Sequence, residues 1–433
     1  MNNPLQNTNR NKARFYYGWF IVFGYLLSGI AGSGAILWGF QVFVNPMAED
    51  LGWSKSTIFS ITVFRTVIMG VLLIFLSRLM DQKKWPPIVM SISSVIFALS
   101  IMALGSVNEY WQYFLFSVVF GSIGLAGAGG QLYQALVPKW FVKYRGKAIA
   151  FGSAGTALGA FIYPTLANIL IDSYGWRFAW VIVGIITLIL LLPISLLIRR
   201  SPEDLGLLPD GDLLEISSKA QKAPSSASSK VQEISFTPKE ALKQRSTWFI
   251  VLATMLVTPT MVGLTSNWAI HFQSIGFTRT EAATIVSTYG ASSLAARVAW
   301  GIFLDKYPIR TLAIVHAALT AGSIGFLLLV ESFGLIAILY GVTQGLILGG
   351  YLAIGPLIWA NFFGRNYLGA IRGTFAPFQT IMAATAPWAI AAAGEAFGTY
   401  RYIFMILLAF WILSMLCMYL ARPLKRINNG IKS

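Results

Sequence analysis

Apolar stretches of about 18 or more residues recur from residue 17 to residue 421, and each is long enough to cross a ~30 Å hydrocarbon core as a helix. A water-soluble fold has no interior that could hide so many. In a bilayer every backbone polar group must be satisfied within the protein, which commits runs of this kind to helices. Twelve are readable, over residues 17–40, 55–77, 86–106, 111–137, 148–171, 177–198, 247–271, 281–303, 311–330, 334–360, 371–393 and 401–421. The first exceeds a signal-peptide core and no small-residue cleavage site follows it, so it reads as a retained helix. Only 11% of the 433 residues are charged and 56% are hydrophobic, against about 25% charged in soluble domains.

The net charge of +16 suggests nucleic acid until its placement is considered. With twelve spans, the termini and even-numbered connections share one side. Outside the long middle loop that side carries 18 Lys/Arg, whereas the other has only Lys55, Arg177, Arg279 and Arg401. This bias predicts cytoplasmic termini, a cytoplasmic middle loop and a multi-pass protein of the cell membrane. The basic excess is topological, and no nucleic-acid partner is expected. The lone Cys417 excludes an internal disulfide.

The chain breaks once. Residues 200–245 are polar and rich in Ser, Pro and Lys, which predicts a linker with one short surface helix around 236–244. Six spans flank it on each side, giving an N-terminal half (1–199) and a C-terminal half (246–433). The halves match at a constant offset of 223–224: Gly52-Trp53-Ser54 with Gly276-Phe277-Thr278, Asp81 with Asp305, Gly146 with Gly369, Pro164 with Pro387, and Tyr174-Gly175 with Phe397-Gly398. The predicted fold is an all-α membrane protein of twelve transmembrane helices in two pseudo-symmetric six-helix bundles. Such six-plus-six repeats hold a substrate near the bilayer midplane between halves that rock about it.

Arg65 and Arg297 lie inside apolar spans with no acidic neighbour, and every Asp and Glu falls in a loop or at a span end. A charge at mid-bilayer costs at least ~2.5–3.5 kcal/mol on insertion scales, so it usually faces an interior cavity and marks a pathway. Two unpaired guanidinium groups make such a cavity attract anions. For Arg297 the bland alternative is snorkelling to the membrane face. Arg65 is deeper, and anion binding and satisfaction of interhelical polar groups are equally compatible with it.

The connection after the second span reads Ser77-Arg78-Leu79-Met80-Asp81-Gln82-Lys83-Lys84, and that after the eighth Gly301-Ile302-Phe303-Leu304-Asp305-Lys306-Tyr307-Pro308-Ile309-Arg310. An acid followed by bases at a tight turn can pair with cationic neighbours and act as a conformational latch; a solvated turn is the plain alternative. These stretches resemble the G-x-L-x-D-R/K signature loop of the major facilitator superfamily, although the first copy has Ser77 for the leading Gly and Gln82 for the Arg. Further residues resemble its monocarboxylate transporter and oxalate/formate antiporter branch: Tyr16-Tyr17-Gly18-Trp19, Glu49-Asp50-Leu51-Gly52-Trp53-Ser54, the glycines 124, 127, 129 and 130 with Tyr133 and Lys139-Trp140-Phe141, Arg145-Gly146-Lys147-Ala148, and Arg297 four residues before Gly301.

The resemblance implies a major facilitator fold and a role for each of these positions. Arg297 matches the arginine that grips the substrate carboxylate, a task suited to a planar, permanently charged fork of donors. Asp81 and Asp305, with Lys306, Arg310 and Arg145, match the latch. Tyr133, Asn267 and Tyr351 lie in spans four, seven and ten, whose counterparts line the central cavity; interhelical hydrogen bonding is their structural alternative. His271, ending the seventh span, is a candidate proton carrier because histidine titrates near neutral pH.

Two absences matter equally. Ser293 stands where the monocarboxylate transporters have an Asp one turn before the arginine, and residues 373–393 lack the antiporter's lysine. The anion expectation survives and the proton expectation weakens.

Glycine groups such as Gly152, Gly155 and Gly159, or Gly345, Gly349 and Gly350, have spacing that lets helices approach closely. None lies in a strand-turn-helix context, and no nucleophile triad or Cys/His metal spacing occurs, so neither an enzyme nor a cofactor is expected. The reading is a secondary active transporter of a small organic anion, a monocarboxylate in the expected case, driven by protons or by a counter-anion. Rivals are an exporter of another small solute and a transport-dead sensor or scaffold on the same fold.

Overall fold

The computed structural model describes residues 16–80, 82–141, 144–211, 238–329, 334–363 and 368–421. Among them twelve helical passages follow in order: α1 (Gly18–Leu51), α2 (Lys55–Leu79), α3 (Trp85–Ala103), α4 (Tyr110–Trp140), α5 (residues 145–174), α6 (residues 176–196), α7 (Arg245–Ser274), α8 (Arg279–Lys306), α9 (Ile309–Leu327), α10 (Gly334–Leu348 with Tyr351–Phe363), α11 (Leu368–Phe397) and α12 (Arg401–Leu420). The first passage runs eleven residues beyond its predicted end, to Leu51, where Gly52 at φ 67° stops it. The short linker helix is Pro238–Leu242; residues 212–237 lie outside the described residues. Ile189, Leu335 and Phe75 stand exposed, as suits side chains that meet hydrocarbon rather than water.

The repeat read from the sequence recurs in the backbone. Gly52 and Gly276 both take positive φ just before α2 and α8, and Gly175 and Gly398 do so at the breaks before α6 and α12. Each is a left-handed position at which a Cβ is strained. The residues after the first pair cap the helices alike. The Ser54 hydroxyl accepts from the Thr57 amide, and the Thr278 hydroxyl accepts from the Glu281 amide while the Glu281 carboxylate accepts from the Thr278 amide. These are N-cap arrangements that satisfy otherwise orphaned donors.

Helical irregularity concentrates in four passages. Turns of π-helix occupy Gly29–Gly39 in α1, Leu115–Phe120 in α4 and Pro259–Leu264 in α7. Gly129 breaks α4 at ψ 162°, and α10 is interrupted at Gly349 and Gly350. Such departures leave backbone groups free and often mark functional sites.

Glycines set the closest approaches. A Cβ on Gly155 of α5 falls 1.9 Å from the Leu26 carbonyl oxygen of α1, and one on Gly345 of α10 falls 2.5 Å from the Tyr289 carbonyl oxygen of α8. Backbone on the far side cannot rotate away. Gly155→Ala gains about 1 kcal/mol of helix propensity but overpacks the α1–α5 contact by about 1–3 kcal/mol. A lower thermal unfolding midpoint in detergent is therefore expected.

The halves meet along three seams that run toward the end bearing Lys55, Asp172, Arg279 and Glu395. Between α1 and α7, the Gln41 side-chain oxygen accepts from the Ala269 amide at 2.9 Å and Asn45 donates to Gln273 at 3.0 Å. Between α2 and α11, Thr62 donates to the Ala384 carbonyl at 3.3 Å. Between α5 and α8, the Thr165 and Ser287 hydroxyls lie 2.9 Å apart and Asn168 donates to Thr280 at 3.0 Å.

Candidate functional site

Arg297 sits on α8 nine residues before Lys306, about 14 Å from that end by helical rise. Its Nη1 donates to the Ser153 carbonyl of α5 at 2.6 Å and lies 3.4 Å from the Ser153 hydroxyl, so the guanidinium bridges the two halves. Its Nε is buried without a hydrogen-bond partner among the described residues. The phenols of Tyr289, two turns earlier on α8, and of Tyr25 of α1 are its electrostatic neighbours. Among the described residues no acid pairs with it. A half-buried cation whose fork is only partly used is therefore available to an anion.

Tyr25 joins this setting to α4. Its hydroxyl accepts from Gln134 at 2.8 Å, and its ring stacks on the buried Tyr133 at 6.3 Å with an interplanar angle of 12°. A Cβ on Gly24 lies 2.7 Å from the Tyr133 ring, so the absence of a side chain there lets Tyr133 pack against α1. Toward the seams at the other end, Tyr289 meets Trp38 of α1 at 4.9 Å and Trp268 of α7 at 5.0 Å. Arg297 thus stands beside aromatic side chains drawn from both halves.

The other expected site residues are distributed differently. Arg65 is on α2 beside Tyr113, its carbonyl accepting from the Ser122 hydroxyl, with no acid paired to its guanidinium among the described residues. Its neighbours are not those of Arg297. Asn267 is buried and ties helices of the C-terminal half, donating to the Gly263 carbonyl at 2.8 Å and the Pro387 carbonyl at 3.2 Å. Tyr351 follows the α10 break and faces the His316 ring at 6.3 Å. Tyr351 and His316, with Thr254, Trp411 and Ser414, line a cavity of ≈ 40 Å³ inside the C-terminal half, room enough for water. His271 is buried against the rings of Phe272, Tyr400 and Phe404, with neither ring nitrogen hydrogen-bonded among the described residues.

Of the expected latch, Asp81 lies outside the described residues, as do the side chains of Asp305 and Arg145. Lys306 is exposed. Arg310 donates to the carbonyls of Met418 and Tyr419 and lies 5.8 Å over the Tyr419 ring. It clamps the C-terminal end of α12, where the helix dipole favours a cation.

Sequence reasoning missed Tyr25, Tyr289, Ser153 and Gln134. Only Tyr289 carried a usable signal, since two helical turns place it on roughly the face of Arg297.

The Major Facilitator Superfamily profile matches residues 21–274. An MFS-type transporter of Gibberella moniliformis is 24% identical over 389 residues, covering 88% of this chain and 84% of that protein. The riboflavin transporter RibJ of Trypanosoma brucei brucei is 27% identical over 205 residues, covering 45% of this chain and 36% of that one. Among solved structures, a D-xylose-proton symporter aligns with a TM-score of 0.68 at 15% identity, over 93% of this chain and 96% of that chain. A bacterial homologue of the human lysosomal transporter Spinster, in an inward-facing and unoccupied conformation, aligns with a TM-score of 0.66 at 15% identity, over 96% and 98%.

Proposed function

The chain belongs to the Major Facilitator Superfamily, and from that premise we propose that this membrane transporter carries a small organic anion, a monocarboxylate in the expected case, by alternating access. One observation carries the reading. Arg297 is a mid-span guanidinium without an acid partner among the described residues, held at the contact between halves only through its Nη1, by the carbonyl and hydroxyl of Ser153, and with a buried Nε that has no partner among the described residues. A carboxylate can take both parallel donors of such a fork, which a carbonyl oxygen cannot. Tyr25, Tyr133 and Tyr289 supply the wall beside it, and Arg65 adds positive potential within the N-terminal half. The excess of Lys and Arg on the side of the termini supports their cytoplasmic placement in a cell membrane.

Every Asp and Glu lies in a loop or at a span end, so a proton travelling with the anion needs another carrier within the membrane. Exchange against a second anion is accordingly the simpler driving force, with His271 the candidate if protons are used. The test is uptake into vesicles bearing the protein, across monocarboxylates, dicarboxylates, neutral solutes and cations, with and without an imposed pH gradient. Carboxylate uptake that requires a loaded internal anion is the expected result. Stimulation by an inward proton gradient instead identifies symport, and uptake of cations with carboxylates ignored overturns the reading.

A further inference from the structure

At the end that bears Lys55, Asp172, Arg279 and Glu395, two carboxylates make the outermost links between the halves. Glu395, near the end of α11, reaches across to the start of α2. Its Oε1 accepts from the Lys55 amide at 2.5 Å and from the Ser56 amide at 3.3 Å, and its Oε2 lies 3.4 Å from the latter. The first amides of a helix have no partner within that helix, and its N-terminus is the positive end of the helix dipole. Ser54 covers only the Thr57 amide. Thus α2 borrows the rest of its cap from the opposite half. On the second seam, Asp172 of α5 pairs with Arg279 of α8, whose Nε also donates to Asn168 at 2.9 Å.

We infer that Glu395 and Asp172 are the two releasable clasps of this gate and set how much of the time this end of the carrier stands closed. The inference rests on the alternating-access reading above. Both acids link one half to the other, whereas the comparable pair Asp50–Arg177 lies wholly within the N-terminal half and has no reason to break when the halves part. Both are partly exposed, Asp172 at 49% of its side chain. A water-exposed pair is a weak link that exchanges readily for water, which suits a contact broken once in each cycle. Glu49 near Arg279 and Tyr400 near Glu395 are the other ionisable neighbours. The deeper links at Gln41, Asn45 and Thr165 are neutral, so the charge that can be removed by substitution sits at the rim.

The test measures geometry and needs no substrate, so its failure is distinguishable from failure of the anion reading. The full-length protein in a Cys417→Ala background carries spin labels at Ser106→Cys and Tyr402→Cys, exposed positions at this end of opposite halves. Pulsed EPR in lipid nanodiscs reports the distance between them. Glu395→Ala is expected to raise the open-to-closed ratio about fivefold, and Asp172→Asn about two- to fivefold, with a larger shift in the double variant. Asp50→Asn should leave the distribution as in the parent, and the exchange Asp172→Arg with Arg279→Asp should restore the closed population. An unchanged distribution in the double variant, or equal broadening from Asp50→Asn, overturns the inference.

Discussion

Replacing Arg297 with glutamine is expected to lower carboxylate flux about 10- to 100-fold, the range given by loss of a charge-assisted hydrogen-bond pair of about 1.5–3 kcal/mol. The glutamine amide can still donate to the Ser153 carbonyl that Arg297 now holds, so the contact between halves has a substitute. Removing a partly desolvated charge also relieves a burial cost, so the folded protein should survive detergent extraction as well as the parent. Arg297→Lys separates charge from geometry. Lysine keeps the cation and loses the planar fork, and an intermediate flux is expected. Initial rates in proteoliposomes at matched protein content measure all three. Parental rates in the glutamine variant remove the binding role assigned to Arg297.

Gly290→Ala should act on the equilibrium between conformations rather than on binding. A Cβ there falls 2.3 Å from the Phe161 nitrogen, 2.6 Å from the Ala160 carbonyl carbon and 2.7 Å from the Phe161 Cα. All three are backbone atoms of the opposite half and cannot turn aside. The overpacking, about 1–3 kcal/mol, applies only while α5 and α8 are pressed together. The open population at that end should therefore rise about 5- to 100-fold. Modification of Thr165→Cys by an impermeant thiol reagent should accelerate accordingly. Gly322→Ala on α9, where a Cβ meets nothing within 4 Å, serves as the control and should label at the parental rate. Equal labelling in both removes the crossing from any role in closure.

Much of the architecture was legible because the bilayer leaves the chain few choices. A run such as residues 401–421 can only be a helix there, and the matched Gly175 and Gly398 announced a repeat that the backbone confirms with positive φ at both. Arg297 was legible for a related reason, since a charge in hydrocarbon demands an explanation. What the sequence hid is which way side chains face. Helices that are apolar all round have no stripe to orient them, so cavity lining and interhelical bonding both stay open for Asn267 and Tyr351; Asn267 donates to the Gly263 and Pro387 carbonyls, and Tyr351 meets the His316 ring beside the small cavity of the C-terminal half. Arg310 reads as a latch partner, and spacing gives no sign that it also holds carbonyls of α12. Glu395 read as an ordinary acid at a span end, because capping the other half's α2 is a contact between residues 340 apart in sequence. Spacing carries no trace of it.

The most direct measurement is accumulation of a labelled short-chain monocarboxylate in liposomes containing only this protein, preloaded with unlabelled anion. The expected result is saturable, protein-dependent uptake that unlabelled carboxylates compete away and the corresponding neutral amides do not. Uptake no greater than in protein-free liposomes for every carboxylate, or competition by the amides as strong as by the acids, contradicts an anion carrier built around Arg297.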